Sequence, residues 1–303
     1  MDLDVYGLCL GGNVFGWTAD RDASFAVLDA YVEAGGNFID TADTYMRPNM
    51  GVSETIIGEW LVARGNRDRM VIATKVGSDG GLSATNIAEH VEGSLRRLQT
   101  DRIDLYYAHK DDGSVPVEET VRAFDELVRS GKVLHVAASN LTGERLTESL
   151  ELARREGLAP YVALQPHYNL VERERYEREF APVVAAHGLA VFPYYALASG
   201  FLTGKYRPGE TDGDGSPRAE AAGRYLDERG LAVLEALDAV AAVHGTTQAA
   251  VAVAWLAAQP GVVAPIASAR SPEQLEGLLE AVGLGLTADD LARLGAASEV
   301  GVH

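Results

Sequence analysis

The feature that most constrains this chain is an alternation: a short apolar run is followed by a longer stretch at helical spacing, and the pair recurs. YGLCL precedes SFAVLDAYVEAGG, NFID precedes SETIIGEWLVARG, MVIATKV precedes TNIAEHVEGSLRRLQ, IDLYYAH precedes VEETVRAFDELVRSG, and VLHVAAS precedes ERLTESLELARREG. VALQ, AVFPY and VVAPIA supply further strands, each followed directly or after a long loop by helical sequence. The count reaches eight βα units in 303 residues with no Pro/Ser-rich linker, which predicts one α/β domain over 1–303, a closed (β/α)8 TIM barrel. An open doubly wound sheet is the alternative that the same alternation allows. Outside the pattern lie RPGETDGDGSPRA at 207–219 and an amphipathic stretch from Tyr225 to Val243, read as a loop and helix inserted after the seventh strand. Loops at that end of a barrel carry function, so the insertion is either a surface elaboration or a lid.

Charge and cysteine content narrow the class of partner. Lys and Arg number 26 against 44 Asp and Glu, a net charge of −18 with no basic run, so nucleic acid and anionic membranes are not expected partners. Cys9 is the single cysteine and cannot form an internal disulfide, and the opening MDLDVYG lacks a basic start followed by an apolar stretch; a cytoplasmic location is expected. The apolar stretch Ala249 to Ala258 is far shorter than the ~20 residues a membrane span needs. The seven histidines form no H-E-x-x-H or other close pair, so no metal site is expected.

Chemistry is concentrated at the strand ends. The second strand ends at Asp40, the third at Lys75, the fourth at His109, the fifth at Ser139 and Asn140, the sixth at Gln165 and the seventh at Tyr194. Singly these are ordinary loop-start residues; on successive barrel strands they converge on one mouth. Tyr45 lies five residues beyond Asp40, within reach of that mouth. A phenol has a pKa near ~10 and donates a proton more readily beside a cation that favours the phenolate, a part suited to Lys75, with Asp40 as its anchor. His109 would orient or polarise the acceptor, and the set suits protonation of an oxygen that becomes negative, as a carbonyl oxygen does on accepting hydride. Asp111 and Asp112 read as a solvated turn rather than a glycosidase pair. Trp17 is either a pocket wall or a rim residue packed on its neighbours, and Trp255 reads as core.

Over nearly its whole length the chain resembles the aldo-keto reductase family, in the subgroup of potassium-channel beta subunits and related bacterial reductases. The segments that carry the likeness are Asn37-Phe-Ile-Asp-Thr-Ala-Asp-Thr-Tyr45, Val71-Ile-Ala-Thr-Lys75, Arg102-Ile-Asp-Leu-Tyr-Tyr-Ala-His109, Ala138-Ser-Asn140, Gln165-Pro-His-Tyr-Asn-Leu170 and Gly200-Phe-Leu-Thr-Gly-Lys-Tyr206. The resemblance implies NADPH-dependent reduction of an aldehyde or ketone, with Tyr45 as proton donor and Asp40, Lys75 and His109 completing the tetrad. It also implies that Ser139, Asn140 and Gln165 hold the nicotinamide carboxamide while Tyr194 stacks on the ring, and that Gly12, Asn13 and Val14 form the turn beside its ribose. By the same resemblance Leu197, Ser199, Gly200, Leu202, Lys205 and Arg218 lie along the cofactor, the two basic residues across its pyrophosphate, where cations suit a dianionic bridge. Arg270 and Gln274 match the segment for the adenosine end, whereas Ser268, Gly277 and Leu278 depart from it, the last two replacing polar residues, so a weaker grip on adenine is expected. Gly200 to Lys205 is one residue short of a P-loop and lacks its Ser/Thr, and no G-x-G-x-x-G is present. The family's N-terminal hairpin is expected to be shortened or missing here, and its long C-terminal tail absent, leaving closure to loops 46–52, 110–116 and 207–219 or to another subunit. A cofactor-binding regulatory module that senses bound nucleotide is the alternative function; in either case the partners expected are small molecules.

Overall fold

Each apolar run forms a strand. In the computed structural model, which describes residues 4–45, 49–207 and 218–299, the strands are β1 Cys9–Gly11, β2 Phe38–Asp40, β3 Val71–Val76, β4 Ile103–Ala108, β5 Val133–Ser139, β6 Tyr161–Gln165, β7 Ala190–Val191 and β8 Ile266–Ala267. All the pairings are parallel, in the order β7-β6-β5-β4-β3-β2-β1-β8. The two ends of that order meet. Val191 bridges Val262, Val263 N–H donates to Val191 O at 3.0 Å and Ile266 N–H to Pro193 O at 2.9 Å, so the sheet closes into a barrel and the open-sheet alternative is excluded. β7 and β8 are shorter than AVFPY and VVAPIA suggest because Pro193 and Pro265 have no N–H to give to a ladder.

The helices, in chain order, are α1 Arg21–Glu33, α2 Val52–Arg64, α3 Ala84–Leu98, α4 Val117–Arg129, α5 Gly143–Glu156, α6 Ala181–His187, α7 Ala219–Gly223, α8 Glu228–His244, α9 Gln248–Ala257, α10 Pro272–Leu279 and α11 Ala288–Ala297. Their starts follow local chemistry: the side chains of Asp20, Ser83, Thr142, Asp227, Thr247 and Ser271 each accept a backbone N–H of the first turn, and Thr287 with Asp290 forms a capping box. The stretch read as Tyr225 to Val243 is α8, and its start moves to Glu228 because Asp227 caps it, while Tyr225 packs on Phe201 at 5.6 Å. α8 and α11 lie outside the βα alternation and are tied together by His244 Nε2 and Asp290 Oδ2 at 2.9 Å. Seven of the ten residues of α9 are buried, Trp255 included, and no single helix among the described residues is long and apolar enough to cross a membrane. Ahead of β1, Tyr6 N–H donates to Asn37 Oδ1 at 2.8 Å and Asn37 Nδ2 to Asp4 O at 2.8 Å, and residues 4–8 form no hairpin. Of the loops expected to close the site, residues 46–48 and 208–217 lie outside the described residues.

The period of a strand positions the site. Inside the barrel Cys9, Phe38, Ala73, Leu105, Tyr107, Ala137, Ala163, Phe192, Ala264 and Ile266 form one buried cluster. Successive strand side chains alternate faces, so the residue two positions further points to the same interior. Two beyond Phe38 is Asp40, beyond Ala73 is Lys75, beyond Tyr107 is His109, beyond Ala137 is Ser139, beyond Ala163 is Gln165 and beyond Phe192 is Tyr194. The polar residues of the strand ends are thus the next layer above an apolar barrel core.

Candidate active site

Lys75 is fully buried at the centre of this layer, its ammonium donating to Asp40 Oδ2 at 2.6 Å, to Thr41 O at 2.7 Å and to Tyr45 Oη at 3.2 Å. Tyr45 is carried by the turn after β2, with its N–H on Ala42 O at 3.4 Å. His109 lies across from it, ring centroids 6.2 Å apart and planes at 77°. The four residues spread from 40 to 109 therefore form one cluster, as their positions at the strand ends require.

Burial and charge then set the protonation states. For Lys75, burial opposes the ammonium, but Asp40 and then Tyr45 outweigh it and hold the pKa above the ordinary lysine value, so the cation persists. For Tyr45, burial pushes the phenol up, Lys75 pulls it down and Asp40 pushes it up again; the net direction is upward. The lysine acts with the expected sign but is outweighed, and the phenol keeps its proton at neutral pH, as a donor must. His109 is pushed down from 6.5 to about 3 by burial, aided by the like charges of Lys75 and Lys110. It is a neutral imidazole, able to donate a hydrogen bond but not to serve as a proton reservoir, and its Nδ1 is buried with no partner among the described residues. Cys9, one layer below, is buried and its thiol pushed well up, which leaves it protonated and inert.

A hydrogen-bonded chain runs from the tetrad around the rim. Gln165 Nε2 donates to Asp40 Oδ1 at 2.9 Å, Ser139 Oγ to Gln165 O at 2.9 Å, Asn140 Nδ2 to Ser139 Oγ at 2.9 Å and to His109 O at 2.8 Å, and Tyr194 Oη to Asn140 Oδ1 at 2.7 Å. Asn140 holds a left-handed backbone at φ 51°, a conformation Asn tolerates better than most side chains. With Nε2 engaged on Asp40, Gln165 has its amide oxygen to offer, an acceptor for the NH₂ of a carboxamide. Tyr194 stacks on His167 at 5.2 Å and 14°.

At the β1 end, Gly12 O accepts Ser53 Oγ at 2.7 Å, and a Cβ at Gly12 would stand 2.9 Å from the Ser53 hydroxyl and 3.2 Å from Asp40 O, so a larger residue would displace Ser53. Asn13 Oδ1 accepts Ser268 Oγ at 2.6 Å, which ties the turn after β1 to the loop after β8. The Val14 side chain is in the core, and so is that of Leu202, whose N–H is engaged on Leu197 O at 3.2 Å. Ala198, Ser199 and Gly200 run consecutively through left-handed backbone at φ 49°, 60° and 94° and turn the chain sharply over the rim. The Arg218 guanidinium lies 5.5 Å over the Trp17 ring, and its pKa is held down by burial and by the nearby cation of Arg270. Two arginines near enough to repel suit a ligand with several negative charges. Lys205 lies 5.1 Å over the Tyr206 ring. Gln274 is exposed, and its Oε1 accepts the N–H of Arg270 at 3.0 Å. Leu278 is buried in the core, whereas a side chain at Gly277 would meet open space.

Asp111 pairs with Arg145 at 2.5 Å, while Asp112 accepts the Leu82 N–H at 3.1 Å and the Ser114 hydroxyl at 2.5 Å, so both carboxylates are engaged in the turn. The strand-end reading did not single out Thr41, His167, Asn169 or Tyr195. The polar pair His167 and Asn169 alternates beyond Gln165 at strand period, a signal open to the sequence; the carbonyl of Thr41 leaves none.

The aldo/keto reductase family model matches residues 7–299. Among curated proteins, the chain is 36% identical to YrpG, an uncharacterized oxidoreductase of Bacillus subtilis (strain 168), over 96% of this chain and 92% of that one. It is 33% identical to the aryl-alcohol dehydrogenase GME11368 of Pestalotiopsis microspora over 96% and 78%, and 35% identical to a protein of Oryza sativa subsp. japonica, named as a probable voltage-gated potassium channel subunit beta, over 86% and 82%.

Proposed function

The chain belongs to the aldo/keto reductase family, and from that premise we propose that it reduces an aldehyde or ketone to the alcohol with NADPH as the reductant. The observation that carries this reading is the buried Asp40–Lys75–Tyr45 chain of hydrogen bonds with the neutral His109 opposite. When bound, the cofactor supplies the hydride. Tyr45 delivers the proton from Oη to the carbonyl oxygen as negative charge develops there, and the Lys75 ammonium 3.2 Å away stabilises the phenolate left behind. His109, neutral, donates a hydrogen bond that orients the carbonyl. Asp40 keeps Lys75 charged and, through Gln165, links the acid to the residues that would hold the carboxamide. Ser139, Asn140 and Gln165 fit that group, Tyr194 offers one ring face, and Lys205, Arg218 and Arg270 would take the phosphates. The single buried thiol of Cys9 suits a reducing cytoplasm.

The test is NADPH oxidation against a panel of aldehydes and ketones. Tyr45→Phe should lower turnover by on the order of 10² or more while NADPH still binds, since only the acid is removed. Full activity in that variant would overturn the assignment. The plant relative favours a second reading, a nucleotide-binding regulatory module; NADPH binding without turnover of any carbonyl in the panel would support it.

A further inference from the structure

The residue after Tyr194 has a backbone and a side chain at odds. Tyr195 holds φ 55°, left-handed backbone that glycine or asparagine adopts at little cost and a bulky aromatic residue rarely does. Two donors pin its carbonyl: the N–H of Ala198 at 2.8 Å and Nδ2 of the buried Asn169 at 2.9 Å. The turn is therefore imposed by its surroundings, and the presence of tyrosine there needs a reason outside the backbone. The ring is no core element, for it is 46% exposed.

Its neighbours place it. Tyr195 is T-shaped to His167 at 5.3 Å and 74° and to Tyr194 at 5.1 Å and 68°, so neither ring lies flat on it. The contact with Tyr194, which is bonded through Asn140 to the backbone of His109, sets the Tyr195 ring at the rim of the same mouth. His167, Tyr194 and Tyr195 form a wall of flat rings, and Trp17, also 46% exposed, lies under the Arg218 guanidinium at 5.5 Å. A polyol chain needs several paired donors and acceptors, whereas a wall of this kind is matched by a planar apolar ring.

We propose that Tyr195 is a specificity-determining residue and that the substrate is an aldehyde or ketone whose carbonyl is attached to an aromatic ring, packed against Tyr195 while its oxygen meets Tyr45. This rests on the carbonyl-reductase reading above. The experiment compares kcat/KM for benzaldehyde and for a straight-chain aldehyde of similar size, with NADPH, in the wild type, Tyr195→Phe and Tyr195→Asn, with Tm measured for each. Tyr195→Asn relieves the backbone, so Tm should hold or rise while the preference for benzaldehyde falls by roughly 3- to 10-fold, the scale of one aromatic contact. Tyr195→Phe should retain the preference. An unchanged ratio in Tyr195→Asn, or a wild type that favours the straight-chain aldehyde, overturns the proposal while leaving the reductase reading intact. A wild type that reduces neither aldehyde, nor any other carbonyl compound, fails the reading itself and the proposal with it.

Discussion

His109 and Tyr45 respond to the same burial with opposite shifts in pKa, because burial penalises whichever form is charged: the imidazolium of one and the phenolate of the other. Both shifts favour carbonyl reduction, since a neutral imidazole and a protonated phenol are the forms required. The histidine shift has a sign that can be measured. Between its ordinary 6.5 and the folded value of about 3, the unfolded chain binds a proton that the folded chain refuses. Stability therefore falls as pH drops through that window, by up to about 1.4 kcal/mol per pH unit from this one group, and is independent of it above. His109→Gln should flatten that part of the acid slope in thermal melts between about pH 6 and pH 4. Wild-type turnover should show no acid limb near neutrality from this residue; a limb lost in His109→Gln would contradict the neutral assignment.

At the scale of elements, the strands β2 and β3 that carry Asp40 and Lys75, with Tyr45 in the turn after β2, are braced from behind by α2 and α3. Glu54 of α2 is fully buried, accepting Thr74 Oγ1 of β3 at 2.6 Å and Arg97 Nε of α3 at 2.6 Å. The two helices approach so closely that a Cβ at Gly58 would lie 2.7 Å from the backbone of Leu98. Arg97 is therefore the counter-ion of a carboxylate that water cannot reach. Arg97→Ala should cost about 3 kcal/mol in urea unfolding, toward the low end for a buried pair because the guanidinium is partly exposed. Arg97→Lys should recover part of it, and Arg122→Ala, which breaks an exposed contact to Glu118, should cost under about 1 kcal/mol. Equal costs for Arg97→Ala and Arg122→Ala would remove the brace from this account.

Across the whole molecule, the site draws on the end of every strand from β1 to β8, so a ligand laid along the mouth touches parts of the chain more than 250 residues apart, as Asn13 and Ser268 already do. Binding there should stabilise the entire barrel. NADPH at about 100 times its Kd should add about 2.7 kcal/mol to unfolding, seen as a rise in Tm. Arg270, beside the exposed start of α10, gains nothing from the helix dipole there, which favours a ligand role over a structural one. Arg270→Ala should weaken NADPH by about 1.5 to 3 kcal/mol and leave NADH nearly unaffected, as measured by fluorescence titration. Equal losses for both cofactors would take Arg270 away from the 2′-phosphate.

What the sequence determined by itself is what depends on local order. The βα alternation gives eight strands, side chains two apart share a face, and caps such as Thr247 and Ser271 start helices where they stand; from these Asp40, Lys75, His109, Ser139 and Gln165 could be placed at one mouth. Only the tertiary structure decided the rest. That burial outweighs Lys75 at Tyr45, that Gln165 is engaged on Asp40, that Leu202 and Leu278 pack in the core and that Tyr195 stands beside Tyr194 on a left-handed backbone all depend on groups brought in from distant strands and helices. Desolvation and contacts through space are sums over those neighbours, whereas strand period and helix caps are properties of a few consecutive residues.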